Sequence, residues 1–171
     1  VNGLGGIGKT TVAKKFVSNH LDDKTYDHIC WIDYQGTLRE SVITQIVHTY
    51  DLEKYRNQRE ELYKNIISDL ENLQGNNLLV IDGFDNAEDE ESIKGLPANF
   101  KILITSRHSF NLDIIIKHAL DTLSKKEAKE FFYRHCPKNR LRENSKQLEE
   151  LFEKVGYHTL TIEIMAKTLA K

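Results

Sequence analysis

The residues best suited to chemistry stand together in the segment Gly3–Thr11, which reads GLGGIGKTT and fits the pattern G-x-x-x-x-G-K-[ST]. Its glycines let the backbone curl so that successive N–H groups point into one concavity, and the start of a helix behind them favours anions. At this spacing Lys9 reaches the β- and γ-phosphates of a nucleotide, and the Thr10 hydroxyl ligates Mg²⁺. A turn that only caps a helix explains the glycines but not the Lys-Thr pair. The candidate nucleotide contacts in this segment are Gly3, Gly5, Gly6, Ile7, Gly8, Lys9, Thr10 and Thr11.

Two carboxylates follow a continuous apolar run, LLVID, that ends at Asp82. A buried strand of this kind delivers its last residue to the carboxyl edge of a parallel sheet, where Asp82 would hold Mg²⁺ through water. Asp85 is a second carboxylate near the same edge and a candidate for orienting or deprotonating an attacking water. The alternative is that Asp85 and Asn86 only form a turn into the acidic loop 88–91.

Arg107 follows the next apolar run, in the sequence KILITSR over 101–107. From the strand after Asp82 its guanidinium would face a γ-phosphate and distinguish ATP from ADP by bidentate contact. The alternative is an ordinary exposed arginine at the end of a strand. The catalytic candidates are therefore Lys9, Asp82, Asp85 and Arg107, and the metal candidates are Thr10 and Asp82.

Alternating apolar runs and helical patterns surround these residues and predict an α/β, doubly wound parallel sheet with helices on both faces. Only Val1 and Asn2 precede the glycine-rich segment, so the first strand is expected to be nearly absent and the sequence to be an excerpt of a longer chain. Helices are predicted from Thr11 and over 41–50 and 58–73, and strands over 28–34, 78–82, 101–105 and, more weakly, 118–123.

From Ser124 onward the pattern is helical only. Ser124-Lys-Lys-Glu127 is a capping box, and the helix that it starts is broken after Pro137. A second helix is predicted to end at Gly156, and a third carries the apolar residues Leu160, Ile164, Met165 and Leu169. A boundary near Leu123 divides a nucleotide-binding domain, 1–123, from the start of a helical domain, 124–171.

The composition argues against several classes of partner and site. The charged fraction is 29%, the formal net charge is −2, and no block of like charge predicts a nucleic-acid or membrane-surface partner. There is no apolar run of spanning length. Cys30 and Cys136 have no C-x-x-C partner, which predicts incidental thiols and a reducing, cytoplasmic setting. None of the seven histidines has metal-ligand spacing, and packing is the ordinary interpretation of each, including His158.

Taken together, these motifs resemble the signal-transduction ATPases with numerous domains and, among them, the NB-ARC ATPases. The segments 26–33, 123–132 and 156–166 are similar to this family's second-strand motif, its entry into the helical domain and its Gly-Leu-Pro-Leu-Ala helix start. The resemblance implies a three-layer P-loop NTPase fold followed by a small all-helical domain. It also implies ATP or ADP as the bound nucleotide, slow Mg²⁺-dependent hydrolysis, a conformational output and nucleotide-dependent self-oligomerisation.

Two departures from the family pattern leave alternatives open. Thr159 stands where the family has a proline near the adenine base, so the candidate base contacts are Thr159 and Leu160, and a threonine in the first turn can also cap the helix. Gly83 and Asp85 after the strand resemble the sibling NACHT ATPases. Further alternatives are an AAA+-like motor and a module that holds ADP without turnover, whereas a GTPase lacks support because no Asn-Lys-x-Asp segment occurs.

Overall fold

The computed structural model describes residues 1–46, 58–111, 113, 115–136 and 145–170. The chain divides into two units, residues 1–2 with 9–118 and residues 3–8 with 119–171. The first unit contains α1 (Lys9–Asp22), β1 (His28–Asp33), α2 (Leu38–Ile46), α3 (Arg59–Glu71), β2 (Asn77–Asp82), a 3₁₀ helix (Ala87–Gly95) and β3 (Phe100–Ile104). The second unit contains α4 (Lys125–His135), α5 (Ser145–Lys154) and α6 (Thr159–Ala170).

A parallel sheet with the strand order β1-β2-β3 lies at the centre of the first unit. The middle strand β2 is buried on both faces, because its side chains alternate between two apolar clusters. Leu79 and Ile81 pack with residues of α2 and α3, whereas Leu78 and Val80 pack with Ala13 of α1. Helices therefore cover both faces of the sheet. This is the predicted three-layer α/β fold of a P-loop NTPase, which is confirmed.

Beyond β3, the described residues extend the sheet by isolated contacts. Asn2 forms an isolated parallel bridge with Ser106, and its N–H donates to the carbonyl of His118 at 3.0 Å. The prediction of a strand over 118–123 is wrong, because these residues contain a single bridge residue and no ladder. At the end of the segment the Leu123 N–H donates to Tyr157 O, so this backbone group is bonded within the second unit and not to the sheet.

Two other boundaries differ from the sequence prediction. Helix α2 begins at Leu38, where the Leu38 N–H donates to Asp89 at 2.5 Å and the Thr37 hydroxyl accepts from Glu40 N–H at 3.3 Å. The predicted end of this helix, 47–50, lies outside the described residues. The predicted acidic loop is part of the 3₁₀ helix, which starts because Asn86 Oδ1 accepts from the Glu88 N–H.

The second unit is helical, as predicted. The Ser124 hydroxyl accepts from Glu127 N–H at 3.3 Å and the Glu127 carboxylate accepts from Ser124 N–H at 2.8 Å, so the predicted capping box is present. The break at Pro137 lies outside the described residues. The predicted third helix is α6, which buries Ile162 and Ala166. The more exposed apolar residues of α6 are Leu160, Ile164 and Leu169.

Candidate functional site

A hydrogen-bonded cluster of oxygen atoms lies where β2 ends and α1 begins. Thr10 Oγ1 is 2.9 Å from each of the two carboxylate oxygens of Asp82. Thr105 Oγ1 donates to Asp82 Oδ1 at 2.5 Å and accepts from the Gly83 N–H at 2.9 Å. The two metal candidates, Thr10 and Asp82, are thus in direct contact, and the atoms that they offer are the hard oxygen ligands that Mg²⁺ prefers.

The parallel register of the sheet produces this cluster. Ile81 pairs with Ile104, so the residue after each of them reaches the same edge of the sheet. The Thr105 N–H donates to Ile81 O at 3.0 Å, and the Thr105 side chain is buried beside Asp82. The sequence analysis did not assign a role to Thr105. The available signal was a hydroxyl residue directly after the apolar run that neighbours the Asp82 strand.

Lys9 is a buried cation at the start of α1. Burial lowers the pKa of its ammonium group, an effect that the nearby Arg107 reinforces and that the carboxylates of Asp85 and Asp82 oppose. A buried ammonium has lost much of its hydration and is attracted strongly to an anion. The Lys9 side chain therefore stands among charged groups of the first unit.

Asp85 and Arg107 are bound to each other. The Arg107 backbone N–H donates to Asp85 Oδ1 and its Nε donates to Oδ2, both at 2.6 Å. Burial opposes ionisation of the Asp85 carboxyl, but the hydrogen bonds and charge of Arg107, with a smaller effect from Lys9, lower its pKa. A carboxylate with a lowered pKa is a weak base. The Arg107 side chain remains 65% exposed, and it contacts Asp85 through Nε.

The glycine-rich loop of residues 3–8 contacts the start of α6 within the second unit. His158 Nε2 is 2.8 Å from Gly5 O, and the Leu160 N–H donates to Gly6 O at 3.2 Å. Gly6 has φ +72°, and a Cβ there would lie 2.9 Å from Leu160 Cδ2. Gly3 is similarly confined, because its Cβ would lie 2.5 Å from the carbonyl oxygen of Leu120. Glycine is needed at both positions for close backbone approach.

The remaining sequence candidates lie in different surroundings. Ile7 is buried, and Thr11 is exposed on α1. Thr159 Oγ1 is buried and makes no hydrogen bond within the described part of the chain, so the expectation that it caps α6 is wrong. The Ile162 N–H donates to His158 O at 3.0 Å, which is the i to i−4 bond of an α-helix at this helix start. His158, for which the sequence predicts a packing role, contacts the loop directly.

A loop of glycines leads into a helix through Lys9 and Thr10, and an aspartate at a strand end contacts the threonine hydroxyl. These two features define the P-loop class of nucleotide-binding proteins. The family model of the NB-ARC domain matches residues 1–142, which is more than half of the chain. The chain therefore belongs to the NB-ARC family, as its motifs predict, and is a nucleotide-binding module that takes ATP or ADP. A search of curated proteins finds no match.

No group of three or more histidine, cysteine, aspartate or glutamate side chains is arranged to hold a metal ion in the described parts of the chain. Among the helices that the structure describes, none combines the length and the apolar character needed to cross a bilayer. Cys30 and Cys136 are free thiols, and burial raises the pKa of Cys30.

Proposed function

We propose that this chain is the nucleotide switch of a larger signalling or defence protein, and that it binds ATP or ADP and hydrolyses ATP slowly with Mg²⁺. The observation that carries the proposal is the contact of Thr10 Oγ1 with both oxygens of Asp82, at 2.9 Å each. This contact joins the residue after the phosphate-binding lysine to the strand-end carboxylate, which is the pairing that Mg²⁺-nucleotide chemistry requires.

The side chains present fit a magnesium ion. Thr10 and Asp82 supply a hydroxyl and a carboxylate, which suit a hard cation that keeps part of its water shell. Bound Mg²⁺ would neutralise charge on the β- and γ-phosphate oxygens. Lys9 would bind the same phosphates as a buried cation, and Thr105 would hold Asp82 in place through its hydroxyl. The loop 3–8 would supply backbone N–H groups.

Slow turnover is supported by the state of Asp85. A general base must be able to take a proton, whereas both Asp85 oxygens accept hydrogen bonds from Arg107, and its pKa is lowered. The same observation favours a second candidate function, an ADP-holding module with no appreciable turnover. We propose that Asp85 orients an attacking water only when Arg107 turns toward a γ-phosphate.

The wider role follows from the same assignment. We propose that residues 1–123 form the nucleotide-binding domain and that a helical domain begins at 124, with Thr159 and Leu160 near the base. The presence of the γ-phosphate would then bias the arrangement of the domains and nucleotide-dependent self-oligomerisation. A cytoplasmic setting suits both the free thiols and the nucleotide supply.

The test is Lys9→Ala in the full-length protein, with Lys15→Ala as the matched control because Lys15 is an exposed lysine on the same helix. We expect Lys9→Ala to abolish detectable binding of ADP and ATP in isothermal titration, since the buried cation is lost. Lys15→Ala should bind like the wild type. Unchanged affinity of Lys9→Ala for both nucleotides would reject the phosphate-site assignment.

Phosphate release measured with and without Mg²⁺ separates the two candidate functions. A slow Mg²⁺-dependent rate that disappears in Asp82→Asn supports the switch. Tight ADP binding without any measurable release of phosphate supports the ADP-holding module.

A further inference from the structure

His158 holds one end of a short hydrogen-bonded chain that reaches the glycine-rich loop. Its Nε2 lies 2.8 Å from Gly5 O, and its Nδ1 lies 3.1 Å from the hydroxyl oxygen of Thr161. A carbonyl oxygen can only accept, so Nε2 must carry the proton. In the neutral ring Nδ1 then accepts from the Thr161 hydroxyl. The contacts therefore assign a single tautomer to His158.

The loop carbonyls that α6 binds determine where the neighbouring N–H groups point. In a trans peptide the carbonyl oxygen and the next N–H lie on opposite sides of the C–N bond. Because Gly5 O is directed at His158, the Gly6 N–H is directed away from it. Likewise Gly6 O is directed at the Leu160 N–H, so the Ile7 N–H points away from α6, and it makes a long 3.4 Å contact with Leu4 O.

Close packing adds to this restraint. A Cβ on Gly6 would lie 3.1 Å from His158 Cε1 as well as 2.9 Å from the side chain of Leu160, so there is no space for a side chain at Gly6. The Gly5–Gly6 peptide is thus held by the hydrogen bond from His158, and the side chains of His158 and Leu160 pack against Gly6. Glycines alone would leave this peptide free to rotate, because they have the widest choice of backbone conformations.

We propose that His158 is a positioning residue for phosphate binding, because it orients the Gly5–Gly6 peptide so that the Gly6 N–H faces away from α6 and toward a bound phosphate. The proposal rests on the proposed function of the loop. It differs from a contact with the base, since His158 acts through the backbone of the loop and not on the nucleotide.

The test compares two ligands on the full-length protein, ADP and pyrophosphate, the second of which has no base. His158→Leu removes the donor, and His158→Gln keeps an N–H at nearly the same distance from the backbone. His118→Leu is the matched control, because His118 is exposed. We expect His158→Leu to lose about three- to tenfold in affinity for both ligands, as one hydrogen bond predicts. His158→Gln should bind within about twofold of the wild type.

The other possible results of these titrations distinguish failure of the proposed function from failure of the positioning role. If wild-type protein binds neither ligand, the proposed function fails and this inference fails with it. If the wild type binds, three results would reject the positioning role alone. The affinities of His158→Leu are unchanged, or His158→Leu loses affinity for ADP only, or His158→Gln binds both ligands as weakly as His158→Leu does. The ring ¹⁵N shifts of His158 in the wild type give an independent readout, in which an Nδ1–H tautomer would overturn the inference.

Discussion

At the residue scale, Asp82 is held by hydroxyls from two different elements of the structure. Thr10 comes from α1 and Thr105 from the end of β3. A carboxylate bound in this way keeps its orientation before any metal arrives, which is what a metal ligand needs from its outer-shell partners. Thr105 is therefore expected to act on metal binding through Asp82.

We predict that Thr105→Val weakens Mg²⁺-dependent nucleotide binding more than binding without metal. Valine keeps the shape of threonine but leaves the Gly83 N–H and one side of Asp82 without the hydroxyl. The loss should also lower the free energy of unfolding by about 1–3 kcal/mol, as for a buried unsatisfied group. Titrations of ADP with and without Mg²⁺ measure the first effect and urea denaturation measures the second. Thr105→Ser, which keeps the hydroxyl, is the control, and equal losses with and without metal would contradict the prediction.

We predict that Arg107→Ala weakens binding of a non-hydrolysable ATP analogue by about tenfold or more while ADP affinity changes little, since a charge-assisted contact contributes about 1.5–3 kcal/mol. The variant Asp85→Asn separates a direct contact of Arg107 with the γ-phosphate from an effect of Arg107 on Asp85, because it disrupts the ion pair and keeps the guanidinium. If the two variants behave alike, Arg107 acts by holding Asp85. If neither affinity changes in Arg107→Ala, it is an ordinary surface arginine.

At the element scale, local sequence determines most of the helix and strand positions, and long-range bonds determine the exceptions. The three strands were predicted to within about a residue because each is a continuous apolar run. The start of α2 at Leu38 was missed, although Thr37 and Glu40 have capping-box spacing. The second contact that stabilises the start of α2 is made by Asp89, which is 51 residues away along the chain, so no local sequence pattern indicates it.

We predict that Ser124→Ala destabilises the second unit by about 1 kcal/mol, because the hydroxyl satisfies the Glu127 N–H at the start of α4. Thermal or chemical denaturation of the full-length protein measures the change. Lys126→Ala, an exposed substitution in the same turn, should have little effect. A Ser124→Ala variant as stable as the wild type would show that the packing of α4 against α6 is sufficient to hold the helix start.

At the scale of the whole molecule, the order of residues in the chain and their grouping in space differ. Residues 3–8 group with residues 119–171, whereas Lys9 and Thr10 belong to the other unit. Local spacing identifies the motif, but His158, which contacts Gly5, is 153 residues away, so no pattern within the motif indicates it. Family membership could be predicted because the residues of each motif are neighbours along the chain, while contacts such as this one required coordinates.

The Thr10 hydroxyl has a consequence for the entropy of metal binding. A hydroxyl has one proton and two lone pairs, and in isolation its O–H bond rotates freely. Here the proton is directed at the carboxylate of Asp82, so the lone pairs are already oriented before a cation is present. The hydroxyl therefore loses its rotational freedom when the chain folds, and binding of the cation does not have to restrict it again. A cation that takes Thr10 as a ligand meets an oxygen that need not release or move its proton.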